Sequence, residues 1–178
     1  MGSERQDGIG YSRGVSMKLT IIRHAIAVPH GTEGVADDER PLTPKGRRRF
    51  EKVARGLAEI CGGPDVLLTS PLPRATETAD IAAEAWGDVT PTSEPTLAQG
   101  DIDQILGVLA QYPSDQHVAI VGHEPTLSAL LARLVGSSAV DRFAFRKGGV
   151  AHLDLPGAPE EGGRLEWFTR PRILRALS

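Results

Sequence analysis

Lys18 to Ile22 forms a short apolar run that ends directly on Arg23-His24. The arrangement recurs twice. Leu67-Leu68-Thr69-Ser70 leads into Pro71-Leu72-Pro73-Arg74, and Val118 to Val121 leads into Gly122-His123-Glu124. Short apolar runs bounded by turn or polar residues read as buried strands. Helical patterns lie between them, and alternating strands and helices specify a mainly parallel sheet covered on both faces. In such a sheet, ligands bind in the crevice beyond the carboxyl ends of the strands. Each run delivers a cationic or nucleophilic side chain to that end. Arg23, His24, Arg74 and His123 in one crevice make an anion site. A phosphoryl group is the anion that guanidinium forks suit best.

The chain has 178 residues, a length that suits one domain. Residues 1–16 stand apart: MGSERQDGIGYSRGVS holds four glycines and scattered charges without a period. They are expected to form a flexible leader, with the folded domain spanning 17–178. A net charge of −3 argues against a nucleic-acid binder, which should carry a basic face. One cysteine, Cys61, cannot form an internal disulfide. No apolar run approaches the roughly 20 residues of a membrane helix, and the start lacks the apolar segment of a signal peptide. The expectation is a cytoplasmic monomer that binds neither membrane nor nucleic acid.

Between the strands, the helix signals are local and strong. Leu42-Thr43-Pro44 supplies an apolar residue, an N-cap and a proline at the first helical position. Phe50, Val53, Ala54, Leu57 and Ile60 follow at helical spacing, and Gly62-Gly63-Pro64 ends the helix. Ser70 is expected to cap a second helix with Pro71 at its first position, running to Trp86. Val89 to Ser93 reads as a short strand, and Asp101 caps a helix through Ile105, Leu106 and Leu109. Another helix begins near Pro125, buries Leu127, Leu130, Leu131 and Leu134, and closes at Gly136. The tail reads as strands at 142–146, 149–155 and 164–169, the last two joined as a hairpin by the loop 156–163. The predicted fold is a three-layer α/β/α sandwich with a mostly parallel central sheet.

Each candidate has a bland alternative. A histidine after a strand is usually structural, but His24 follows an arginine and opens a long polar loop. Arg74 would ordinarily be a solvated helix charge, but the proline-rich approach aims its turn at the crevice, where free N–H groups favour an anion. Gly122-His123-Glu124 begins like a zinc-protease helix. That motif needs a second histidine four residues after the first, and Leu127 stands there. His30, His117 and His152 show no ligand spacing, and Cys61, at a helix end before two glycines, reads as structural. The sequence has no Walker phosphate loop, no G-x-G-x-x-G, no G-x-S-x-G and no cysteine phosphatase loop.

Together the segments resemble the histidine phosphatase superfamily, the phosphoglycerate mutase-like fold, over nearly all of residues 17–155. The resemblance rests on Arg23-His24, on Leu42-Thr43-Pro44-x-Gly46, on Thr69-Ser70-Pro71-x-x-Arg74-Ala75-x-x-Thr78-Ala79, and on Val121-Gly122-His123-Glu124. Ala25 stands where the family usually has glycine. This form, the short chain and the Asp-Glu-Arg-Pro-Leu-Thr approach to the first helix look most like the SixA branch. The resemblance implies phosphohistidine phosphatase activity on protein phosphorelay domains. It implies that His24 is the phosphorylated nucleophile, and that Arg23, Arg74 and His123 bind the phosphoryl oxygens. It calls for no metal and no cofactor.

A second departure falls on the general acid. Many relatives carry a glutamate after the third strand, where Gln99 stands in Leu97-Ala98-Gln99-Gly100-Asp101. Glu94, Asp101, Asp37 and Asp38 are possible substitutes, each more ordinary as a cap or solvated charge. A site without a strong acid suits an N–P substrate, because imidazole is an easy leaving group and an alkoxide is not. The expected partner is therefore a histidine phosphotransfer domain. Rival readings are a broad phosphomonoesterase of small phosphate esters and a non-catalytic phosphate-binding module. Arg40, Lys45, Arg47, Arg48 and Arg49 could face an acidic partner, though a solvated helix face is the blander account.

Overall fold

A computed structural model describes residues 15–178 except residue 88. Most of the expected leader lies outside the described residues. The first strand, β1, spans Met17–Arg23, followed by helix α1, Pro44–Cys61. Strand β2 is Val66–Thr69, α2 is Pro73–Trp86 and β3 is Pro91–Ser93. The short α3, Thr96–Gln99, precedes α4, Ile102–Leu109. Strand β4, His117–Gly122, leads to α5, Thr126–Leu134. Strands β5, Val150–Leu155, and β6, Arg164–Thr169, are followed by the short α6, Pro171–Leu174. The six strands form one sheet in the order β3-β2-β4-β1-β5-β6. Its first four strands pair in parallel, and β5 and β6 pair antiparallel at one edge.

Strand residues alternate between faces, and the alternation builds two cores. Leu19 and Ile21 join Val118, Ile120 and Leu153 in a layer closed by Ile105, Leu109, Leu127 and Leu131 of α4 and α5. Ile22 joins Leu67, Ala119, Val121 and Val150 against Phe50, Val53, Leu57, Ala75, Ala79 and Leu174 of α1, α2 and α6. The protein is the predicted three-layer α/β/α sandwich. Thr43 caps α1 as its spacing predicts, accepting from the Gly46 N–H at 2.9 Å. Asp101 and Gln104 close a capping box on α4.

Four local expectations need correction. Ile60 is exposed, and the buried stripe of α1 continues from Leu57 to Cys61, one residue further round the helix. Helix α2 starts at Pro73 after Leu72, without a side-chain cap. Ser70 instead offers its hydroxyl to the Leu72 N–H and to His123. Residues 142–146 form no strand: Val140–Phe143 is a 3-10 turn. There the Phe145 N–H bonds the Glu124 carboxylate and the Phe143 carbonyl accepts from Ser128, so these backbone groups join no ladder. The short helices α3 and α6 had no sequence signal read for them.

Candidate active site

Strand register brings the functional side chains together. Arg23 on β1 lies opposite Gly122 on β4, and Thr69 on β2 lies opposite Val121. Just past these pairs the His24 N–H bonds the Gly122 carbonyl at 3.1 Å, and the Ser70 N–H bonds the Val121 carbonyl at 3.0 Å. The carboxyl ends of the three strands are therefore level. His24 and His123 face each other there, with ring centroids 5.1 Å apart and planes inclined by 49°. Arg74 sits at the second position of α2 and is buried, with 6% of its surface exposed.

The environment of His24 fixes its chemistry. The ring is buried, and its Nδ1 donates to the Ala25 carbonyl at 2.7 Å. A neutral imidazole with Nδ1–H keeps the lone pair on Nε2. Burial lowers the pKa to about 3, assisted by His123, Arg74 and Arg23 against the opposing carbonyl. The ring is thus neutral and nucleophilic at any ordinary pH. Thr78 anchors the adjoining backbone. Its hydroxyl accepts from the Ala25 N–H at 3.0 Å and donates to the Arg74 carbonyl at 2.6 Å.

The cations are held by backbone oxygens. Arg23 Nη1 donates to the Phe145 carbonyl at 2.6 Å, and Arg74 Nη1 to the Asp37 carbonyl at 2.8 Å. Both guanidinium Nε atoms, and His123 Nδ1, are buried without a protein partner. Buried polar groups are normally paired, and a phosphoryl anion would supply the missing acceptors. His123 Nε2 pairs with Ser70 Oγ at 2.7 Å. Burial and the charges of Arg74 and Arg23 lower its pKa to about 4. His123 is therefore neutral in the free site, and only an arriving anion would favour its imidazolium.

Arg23, His24, Arg74 and His123 thus lie together at the strand ends. Arg40 and Lys147 were not read as part of the site. Arg40 Nη1 donates to the Val28 carbonyl at 2.8 Å, and its charge depresses the pKa of Arg74, His123 and Lys147. Lys147 precedes Gly148, whose N–H bonds the carbonyls of Arg23 and His24, each at 3.1 Å. Burial and then Arg23, Arg40 and Arg74 lower its ammonium pKa. The Arg40 signal was present in the Asp-Glu-Arg-Pro-Leu-Thr segment; Lys147 lies too far along the chain for spacing to place it.

The proposed acid positions are occupied otherwise. Gln99 is exposed at the end of α3. Glu94 accepts from the N–H and hydroxyl of Thr96, and Asp101 caps α4. His30 and Arg40 hold the Asp37 carboxyl below its usual range, so it is ionised at neutral pH. Among the described residues, no carboxylate hydrogen-bonds the ring of His24 or His123, whose partners are the Ala25 carbonyl and the Ser70 hydroxyl.

Fold and side chains define an α/β protein with a polycationic, anion-seeking cleft at its strand ends. The chain belongs to the histidine phosphatase superfamily, branch 1, whose family model matches residues 19–111. An uncharacterised protein of Picosynechococcus sp. is 31% identical over 140 residues, covering 77% of this chain and 84% of that protein. A structure from Agrobacterium tumefaciens, provisionally named phosphohistidine phosphatase SixA, superposes with a TM-score of 0.74. It is 26% identical, over 86% of this chain and 97% of its own. The α-ribazole phosphatase of Shigella flexneri is 19% identical over 87% of this chain and 97% of its own, with a TM-score of 0.71. At that identity the likeness is one of fold.

Proposed function

We propose that the protein is a phosphohistidine phosphatase that removes the phosphoryl group from a phosphorylated histidine of another protein. The observation that carries this reading is a neutral, buried His24 with a free Nε2, set among cations, with no carboxyl among the described residues hydrogen-bonded to its ring. Nε2 attacks phosphorus in line, forming an Nε2–P bond as the P–N bond to the substrate imidazole breaks. Arg23, Arg74 and His123 hold the phosphoryl oxygens while charge redistributes. The substrate imidazole, already protonated from solvent at its other nitrogen, leaves as the neutral ring with the electron pair of the broken P–N bond. Its conjugate acid has a pKa near 6.5, so it needs no acid from the protein. Water then attacks the phosphoryl group on His24, and Nε2 departs. The protein's own cations neutralise the charge, and the steps need no metal or cofactor.

The surroundings suit a macromolecular substrate. A cleft of about 790 Å³ beside the site is lined by four arginines, Arg23, Arg142, Arg146 and Arg170, against two carboxylates, Glu124 and Asp141. The last three arginines are exposed. Cations gathered here, in a chain of net charge −3, favour an acidic partner surface.

The test is hydrolysis of a phosphohistidine-bearing phosphotransfer domain and of an alkyl phosphate, by wild type and His24→Ala. Turnover of the N–P substrate alone, lost in the variant, is the expected result. Comparable turnover of the alkyl phosphate would replace this reading with a small-molecule phosphomonoesterase. Phosphate binding without turnover of either would make the protein a binding module.

A further inference from the structure

At the other end of the sheet, a second cluster lies outside the phosphoryl chemistry. Cys61 ends α1, His117 opens β4 and His152 lies on β5 opposite Thr20 of β1. The sequence reading found no ligand spacing here. The fold nevertheless brings one ligand atom from each of Cys61, His117 and His152 within 4.8 Å of the others, all in half-buried positions. Thr20 is four residues before His24 on β1, about 13 Å away along an extended strand. The two sites are therefore separate.

Thr20 organises the cluster. Its hydroxyl lies 2.8 Å from His117 Nε2 and 2.9 Å from His152 Nδ1, while the Cys61 thiol donates to the Leu57 carbonyl at 3.3 Å. The His152 ring is stacked on Trp167 at 5.3 Å, with planes 16° apart, which fixes its orientation. Asp65 is near His117, and Glu166 and Asp154 are near His152. Lys18 is the opposing cation, and Asp154 binds it at 2.7 Å.

The geometry points to a Cys61–His117–His152 site for a zinc-class cation, one of borderline softness. A thiolate with two imidazoles selects zinc, cobalt or copper over magnesium or calcium. Around a tetrahedral zinc, ligand atoms lie about 3.3–3.7 Å apart, given bonds of about 2.0–2.3 Å. The cluster has therefore to close by about 1 Å. Cys61 can supply that movement, because Gly62 follows it with φ 63° and Gly63 comes next. On binding, the thiol gives its proton to solvent and sulfur bonds the metal. The imidazoles coordinate through neutral nitrogens, and the Thr20 hydroxyl or a water completes the shell. The ion would tie the end of α1 to β4 and β5.

The test is a cobalt(II) titration of the full chain, freshly reduced, with zinc competition and thermal melts. One equivalent should give a sulfur-to-cobalt charge-transfer band, displaced by zinc, and zinc should raise the Tm. Cys61→Ser should abolish the band, and His152→Ala should weaken binding at least 10-fold. Both variants should show wild-type circular dichroism without metal. His24→Ala should bind cobalt as wild type does. No saturable binding, or binding without a sulfur band, would overturn the proposal. So would binding lost in His24→Ala but kept in Cys61→Ser, which would put the ion in the phosphoryl cleft.

Discussion

His24 illustrates how one hydrogen bond sets a reactivity. With Nδ1 bound to the Ala25 carbonyl, the other nitrogen is the one left for phosphorus. The surrounding cations that would bind substrate also keep the ring from protonating. Arg74 is one of them, and its planar fork is anchored through Asp37. Arg74→Ala should lower kcat on phosphohistidine about 100- to 1,000-fold, the scale of one lost transition-state donor. A wild-type rate would reduce Arg74 to a helix charge. Thr78 acts more remotely, joining the backbone after His24 to that of Arg74. Thr78→Val keeps the volume and strands the buried Ala25 N–H, which should cost about 1–3 kcal/mol of stability. Chemical denaturation would measure that loss, and an unchanged midpoint would mean that the N–H finds another acceptor.

Elements deliver these residues by register and by close approach. The start of α1 lies directly under the loop that leaves His24. A Cβ on Gly46 would stand 2.0 Å from the Ile26 carbonyl oxygen, and the Thr43 N–H bonds that same oxygen. Gly46→Ala must therefore push helix and loop apart. It should lower the Tm and reduce kcat together. Thr43→Ala, which removes the cap and the hydroxyl's 3.2 Å bond to the Ile26 carbonyl but leaves the close packing of α1 on the loop intact, should cost about 1 kcal/mol with a smaller effect on rate. Equal effects from the two would show that contact between α1 and the loop does not position His24. Signals of this kind explain what was legible in the sequence. Strand ends, caps and helix stripes are local patterns, and they were enough to assemble Arg23, His24, Arg74 and His123. The errors arose where a distant partner decides. Phe143 and Phe145 alternate like strand residues, yet Ser128 and Glu124 take their backbone groups. Ser70 looks like a cap, but His123 engages its hydroxyl. The Cys61, His117 and His152 cluster draws on three elements, and no spacing along the chain reports it.

Across the whole molecule, both ends of the sheet bury neutral imidazoles, and this makes stability depend on pH. His24 is lowered to about 3, and His123 and His152 to about 4, chiefly by burial, from an ordinary 6.5. Between those values the unfolded chain binds protons that the folded chain refuses. The stabilisation is complete above pH 6.5 and is lost as pH falls towards the folded values. Each ring can forfeit at most about 1.4 kcal/mol per pH unit. Halved for residual solvent, three rings lose together on the order of 3 kcal/mol by pH 5, or roughly 10 °C in Tm for a chain of this size. Thermal melts at pH 7.5 and pH 5.0 measure this. Inorganic phosphate should reduce the loss, because an anion between Arg23 and Arg74 stabilises a protonated His123. His152→Gln should flatten the pH dependence by about one ring's share without altering the phosphate effect. A Tm that does not move between the two pH values would mean that water reaches the rings. A phosphate effect that vanishes in His152→Gln would mean that the two ends of the sheet do not titrate independently.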